Sequence, residues 1–161
     1  MSEKEEVAIP GGEELLKLDN QLCFALYSSS RGITRLYRPV LSEFGMTYPQ
    51  YLAMLVLWEK EPLTVKELGQ RLFLDSGTLT PLLKRMEKQG LLTRERSQGD
   101  ERQVLINLTE KGKKLKDKAQ AIPLKIADQV NISQSEFISL LTSLKKLMKK
   151  IDMGGSNNSP I

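Results

Sequence analysis

Between Leu63 and Thr109 the chain changes from helical to strand periodicity in an order that leaves few folds open. Thr64 followed three residues later by Glu67 is a capping box, in which each residue satisfies a backbone donor near the other, and it predicts a helix through Val65, Leu68 and Leu72. A turn near Phe73 and Leu74 comes next. Asp75 or Ser76 then caps a second helix whose apolar positions Leu79, Leu82, Leu83 and Met86 fall at i, i+3, i+4 and i+7, and Gly90 ends it. The opposite face of that helix carries Ser76, Thr78, Thr80, Lys84, Arg85 and Lys88; taken alone, this is also what any solvated helix face shows. Pro81 lies inside the pattern and removes a backbone donor, so the regular helix either begins nearer Thr78 or is kinked.

The next segment reads as a hairpin: Leu91 to Arg96, a turn at Ser97-Gln98-Gly99-Asp100, then Gln103 to Leu108 with Val104, Ile106 and Leu108 alternating inward. Arg94, Arg96 and Arg102 are expected to project from it, and Asp100 stands two residues before Arg102, where its carboxylate would orient the guanidinium for a narrow minor groove. Helix, turn, helix and charged hairpin in this order make a winged helix-turn-helix. The expected class is mostly α with a small β wing, the second helix entering the major groove of duplex DNA while its cations meet phosphates.

The segment from Leu74 to Glu87, with Gly99-Asp100-Glu101-Arg102 and Leu108-Thr109-Glu110-Lys111-Gly112, resembles the MarR family of transcriptional repressors over about residues 15–151. Leu22-Cys23-Phe24, Thr47-Tyr48-Pro49-Gln50-Tyr51 and Leu74 to Pro81 are similar to its organic hydroperoxide-sensing branch. The resemblance implies a two-fold dimer through interdigitated N- and C-terminal helices, with two recognition helices about one DNA turn apart on a palindromic operator. It also implies that Cys23 is a redox sensor supported by the hydroxyls of Tyr37 and Tyr48 from the neighbouring subunit, donors that favour the thiolate; Tyr27, one turn after Cys23, is a further candidate for the pocket. From spacing alone, a lone cysteine beside an apolar stripe reads as a small buried hydrophobe.

The sensor chemistry is constrained by there being one cysteine in 161 residues. Sulfenic acid formed at Cys23 must end as a mixed disulfide with a small cellular thiol, a cyclic sulfenamide or an over-oxidised acid. A chain without histidine offers no histidine-based catalytic triad, and without a resolving cysteine a thiol peroxidase would not complete turnover within one chain, so no enzyme, metal site or cofactor is expected. The runner-up is a MarR-type global regulator responding to general oxidants or a phenolic ligand. An RNA-binding module would show no preference for palindromic duplex DNA, and the wing argues against it.

Charge is distributed to match. Residues 1–22 hold two lysines against six acids, whereas residues 63–120 hold thirteen cations against eight acids, so the positive charge sits on the expected DNA module. The longest apolar run, Tyr51 to Trp58, falls far short of the roughly 20 residues a membrane span needs, and the acidic start is wrong for a signal peptide; a cytoplasmic protein is expected. Around the module, Leu15, Leu18, Leu22, Ala25 and Leu26 predict a first helix, Pro39 and Gly45 a kink or boundary, and Thr47 with Pro49 the start of the next helix. Thr109 caps a lysine-rich helix bearing Leu115, Ala119, Ile122 and Ile126, which Pro123 should bend or end. Ser133 and Glu136 begin a last helix with a broad stripe from Phe137 through Leu140, Leu141, Leu144, Leu147 and Met148 to Ile151, more than one chain of this size covers. The expected organisation is a flexible acidic segment 1–14, a domain over 15–153 with its DNA module at about 48–109, and a disordered tail 154–161.

Overall fold

The computed structural model describes residues 11–100 and 102–154, without side-chain detail at 153 and 154. Most of the expected flexible segment 1–14 and of the tail 154–161 therefore lies outside the described residues. Where the sequence predicts a helix from Leu15, the chain instead forms two exposed 3-10 turns, Gly12–Leu16 and Leu18–Asn20, and the α-helix begins only at Leu22. Local side chains explain the difference. Asn20 Nδ2 donates to Glu14 O at 2.8 Å and Gln21 Nε2 to Lys17 O at 3.3 Å, capturing carbonyls that a continuous helix would use, while Lys17 and Gln21 stay extended.

Helix α1 (Leu22–Ser42) runs through Pro39 and stops where Gly45 turns at φ +63°. Helix α2 (Tyr48–Glu59) starts with Thr47 N donating to Gln50 Oε1 at 2.9 Å and Pro49 in its first turn, where the missing N–H costs nothing. A two-residue strand β1 (Leu63–Thr64), absent from the sequence reading, leads into α3 (Val65–Leu72), whose capping box forms as expected: Glu67 N to Thr64 Oγ1 at 3.1 Å and Thr64 N to Glu67 Oε2 at 2.7 Å. Asp75, not Ser76, caps α4 (Ser76–Lys88). That helix neither starts at Thr78 nor ends at Pro81. The proline leaves Gly77 O without its i+4 donor, but Gly77 lies in the exposed first turn, where water reaches the carbonyl. Gly90 at φ +71° closes the end, with Gly90 N bonded to Glu87 O and Leu91 N to Met86 O.

Strands β2 (Leu92–Arg96) and β3 (Val104–Leu108) form the wing hairpin, and β1 adds to the other edge of β3, giving the order β1-β3-β2, all antiparallel. The register sets Leu92 opposite Leu108, Arg96 opposite Val104 and Leu63 opposite Ile106. After the wing, α5 (Glu110–Ala119) is capped by Thr109, whose Oγ1 accepts from Gly112 N at 3.1 Å. The helix breaks at Gln120, and α6 (Ala121–Val130) follows. Pro123 cannot donate to the carbonyl of Ala119, so the interruption falls one turn upstream of the proline. Ser133 and Glu136 form the second capping box at the start of α7 (Gln134–Gly154).

One continuous core holds the module: Met54 and Leu57 of α2, Leu68 of α3, Leu79, Leu83 and Met86 of α4, and Leu92 and Ile106 of the sheet are all fully buried. At the other end, Leu41 of α1 packs with Ile122 and Ile126 of α6 in the same cluster. Two faces are left bare. On α7, Phe137 and Ile151 are 51% and 63% exposed, and the N-terminal half of α1 shows Leu22 at 64%. No helix among the described residues is long and apolar enough to cross a membrane.

Candidate DNA interface and cysteine site

Helix α4 turns Leu79, Leu83 and Met86 into the core and leaves Ser76, Thr78, Lys84, Arg85 and Lys88 exposed, with Thr80 half-buried. The two threonine hydroxyls are already committed as donors. Thr78 Oγ1 donates to Asp75 Oδ2 at 2.9 Å and Thr80 Oγ1 to Ser76 O at 2.7 Å. Each oxygen keeps lone pairs, so in this geometry both hydroxyls are free to accept a further hydrogen bond but have no proton left to donate. The bonds that Asp75 receives from Thr78 N and Oγ1 hold its carboxyl below the usual carboxylate range, keeping the cap charged.

The wing differs from its sequence reading at two residues. Arg94 does not project freely. Its Nε and Nη2 donate to Glu87 Oε2 at 2.9 and 2.8 Å, and its backbone N donates to Glu87 Oε1 at 3.1 Å, so the half-buried guanidinium ties the wing's first strand to the end of α4. The same bonds lower the Glu87 pKa. Asp100 does not hold the Arg102 guanidinium either. It accepts from Arg102 N at 3.0 Å and from Gln103 Nε2 at 3.2 Å, an Asx turn that shapes the tip and leaves the Arg102 side chain exposed. Arg96 is exposed at the strand's end.

Between α3, the start of α4 and the wing lies an open cleft of about 1260 Å³ lined by Lys66, Gln70, Phe73, Ser76, Thr80 and Arg102 among others. Sequence patterning marked Ser76, Thr80 and Arg102 but missed Lys66, whose place on α3 shows no periodic signal of its own. The cleft's lining takes Lys66 from α3, Arg102 from the wing and hydroxyls from α4, beside the Glu67 carboxylate that is bound into the Thr64 capping box; the cations and hydroxyls are groups of the kind that meet phosphates.

Cys23 is exposed in the first turn of α1. Tyr37 lies 14 residues further along the same helix, which at about 1.5 Å per residue is about 21 Å, so within one chain the two cannot touch. Tyr27 is exposed and accepts from Arg31 Nη1 at 2.6 Å, with that guanidinium 5.4 Å from its ring centroid. The Tyr37 ring meets Tyr48 of α2 at 4.9 Å between centroids and Tyr51 at 5.8 Å, and Tyr51 meets Trp58 edge-on at 6.5 Å. Burial raises the pKa of Tyr37 and Tyr48 and pushes Tyr51 up to about 12, so the phenols stay protonated donors at neutral pH. The sequence does not mark Tyr51 as part of this cluster, because there it is one more member of an apolar run. At the far end of α2, Trp58 Nε1 donates to Gly112 O at 2.9 Å, and Glu61 accepts from Leu108 N.

The model of the Transcriptional regulator SarA/Rot family matches residues 35–119. An organic hydroperoxide resistance transcriptional regulator of Bacillus subtilis is 55% identical over 84% of this chain and 92% of its own length. The chain is a MarR-family transcriptional regulator of the organic hydroperoxide-sensing branch. The HTH-type transcriptional regulator SarZ of Staphylococcus aureus is 41% identical to this MarR-family chain, over 83% of it and 90% of SarZ. Among solved structures, AbfR of Staphylococcus epidermidis is similar in its reduced and overoxidised states, both bound to DNA. Each is 39% identical with TM-score 0.70, over 86% of this chain and 97% and 98% of theirs. As in other MarR-family regulators, mostly helical structure carries a small sheet at the wing, and the relatives are named regulators, not enzymes.

Proposed function

We propose that this regulator is a repressor that binds a palindromic duplex as a two-fold dimer and leaves it when an organic hydroperoxide oxidises Cys23. The observation that carries the reading is the separation of Cys23 from Tyr37 along one helix, with bare apolar surface beside the cysteine and along α7. A second copy that covers those faces brings the phenols of Tyr37 and Tyr48 of one subunit to the thiol of the other, and buries the surface that one chain leaves open. Ser76, Thr78, Thr80, Lys84, Arg85 and Lys88 then meet the major groove and its phosphates, and Arg96 and Arg102 reach DNA from the wing. Arg94 and Asp100 act within the protein. The setting is the cytoplasm, where duplex DNA and small thiols are both at hand.

The Cys23 thiolate attacks the terminal peroxide oxygen, the O–O bond breaks and an alcohol leaves, giving the sulfenic acid. A small cellular thiol then condenses with it, losing water and forming a mixed disulfide. Its bulk displaces the tyrosines that join α1 to α2, and α2 carries the displacement through Trp58 and Glu61 to the wing and α5. That a similar regulator was captured on DNA in its overoxidised form favours the bulky disulfide over small oxyacids as the releasing state. Full release requires the oxidised state to bind DNA about 5.5 kcal/mol less tightly. Cys23→Ser keeps operator affinity and no longer dissociates with cumene hydroperoxide and thiol. A serine variant that still leaves DNA refutes the sensor assignment, and release by salicylate with no effect of peroxide moves the protein to the ligand-responsive class.

A further inference from the structure

Phe73 is the residue at which local energetics and position disagree. It occupies the turn between α3 and α4 in the left-handed region at φ 55°, where a bulky side chain is strained and glycine or asparagine is the relaxed choice. Nothing in the protein core repays that strain, since the ring is 65% exposed and Leu74, the next residue, supplies the inward contact of the turn. The ring instead lines the cleft, beside Lys66, Ser76, Thr80 and Arg102.

The lining sets Phe73, Val65 and Val104 beside two cations and hydroxyls, and its carboxylate, Glu67, is taken up by the Thr64 cap; that mixture matches a strand whose anionic oxygens alternate with apolar sugar rings. We infer that Phe73 contacts the deoxyribose face of the DNA backbone between recognition helix and wing, the cleft's cations holding the flanking phosphates. The inference rests on the DNA-binding reading above and adds to it an uncharged contact that fixes how deep α4 sits in the groove. Such a contact releases no counterions, so it contributes affinity without contributing salt dependence.

The test uses a duplex that the full-length protein selects from a random pool, with Kd measured across a series of salt concentrations. Phe73→Gly and Phe73→Asn, both relaxed at positive φ, should bind about tenfold more weakly with the slope of log Kd against log salt unchanged, while Phe73→Tyr keeps wild-type affinity. Arg102→Ala, the comparator, should weaken binding and flatten the slope. Wild-type affinity in both Phe73→Gly and Phe73→Asn overturns the inference and leaves the DNA reading standing, provided Arg102→Ala behaves as stated. Weakening with a flattened slope also overturns it, because the residue would then act by placing the cations. Failure of the wild-type protein to select any duplex sinks the DNA reading and the inference together.

Discussion

Gly112→Ala should destabilise the protein more than its conservative chemistry suggests. An added Cβ at Gly112 would lie 2.1 Å from Leu91 O and 3.2 Å from Leu108 Cδ2, so α5 and the strand entry have to separate by more than 1 Å to reach ordinary contact distance. Neither side moves freely. Leu91 O already accepts from Thr109 N at 3.1 Å, and Gly112 O accepts from Trp58 Nε1 at 2.9 Å. Opening the junction strains or breaks both bonds, each worth about 1 kcal/mol, and overpacking adds about 1–3 kcal/mol. The expected loss is about 3 kcal/mol, which for a chain of this size lowers Tm by roughly 10 °C. Urea and thermal unfolding at one fixed protein concentration would measure it, with Trp58→Phe beside it losing only the single indole bond, about 1 kcal/mol. A Gly112→Ala protein within 1 kcal/mol of wild type would refute the close approach on which the argument stands.

Two further outcomes concern pH. The folded pKa of Asp75 is lowered, chiefly by bonds from Thr78 N and Oγ1, so its capping stability is present above its ordinary value of 3.8 and is lost as pH falls through the lower folded value. Asp75→Asn keeps a cap without the titration; the Tm gap between wild type and variant should narrow as pH falls below that value, and a gap independent of pH would count against the cap. Tyr51 is pushed up to about 12, so the stability of its buried phenol is intact below 10 and lost as pH rises through the folded value. In an alkaline absorbance titration its step should be the last, and should vanish in Tyr51→Phe; a last step that persists contradicts its burial.

The DNA module was legible because its signals are local. The boxes Thr64 with Glu67 and Ser133 with Glu136, the cap at Thr109, the glycine stop at Gly90 and the alternation Val104, Ile106, Leu108 all act within a few residues, and each appears in the structure where its spacing puts it. The setting of Arg94 is not legible in the sequence, because a charged residue on a hairpin looks alike whether it faces water or a carboxylate seven residues earlier in the chain. The first turns failed for a related reason, the Leu15 and Leu18 pattern being overridden by Asn20 and Gln21 side chains that the periodicity does not count. Strand β1 is two residues long and exists only because β3 offers it an edge.

Residue order alone determined the order of helix, turn, helix and hairpin in the DNA module, its caps and turns, the solvent face of α4, the single thiol and the positive charge gathered on the module, because each depends on neighbours within a turn or two. The folded chain decided what spacing cannot carry. It closed Arg94 onto Glu87, brought the rings of Tyr37, Tyr48 and Tyr51 together from two helices, opened a cleft lined by Lys66, Phe73 and Arg102, and set Cys23 too far from Tyr37 to meet it in one subunit. Those are distances between segments remote in the chain, fixed by how side chains fill a shared core, and no local rule contains them.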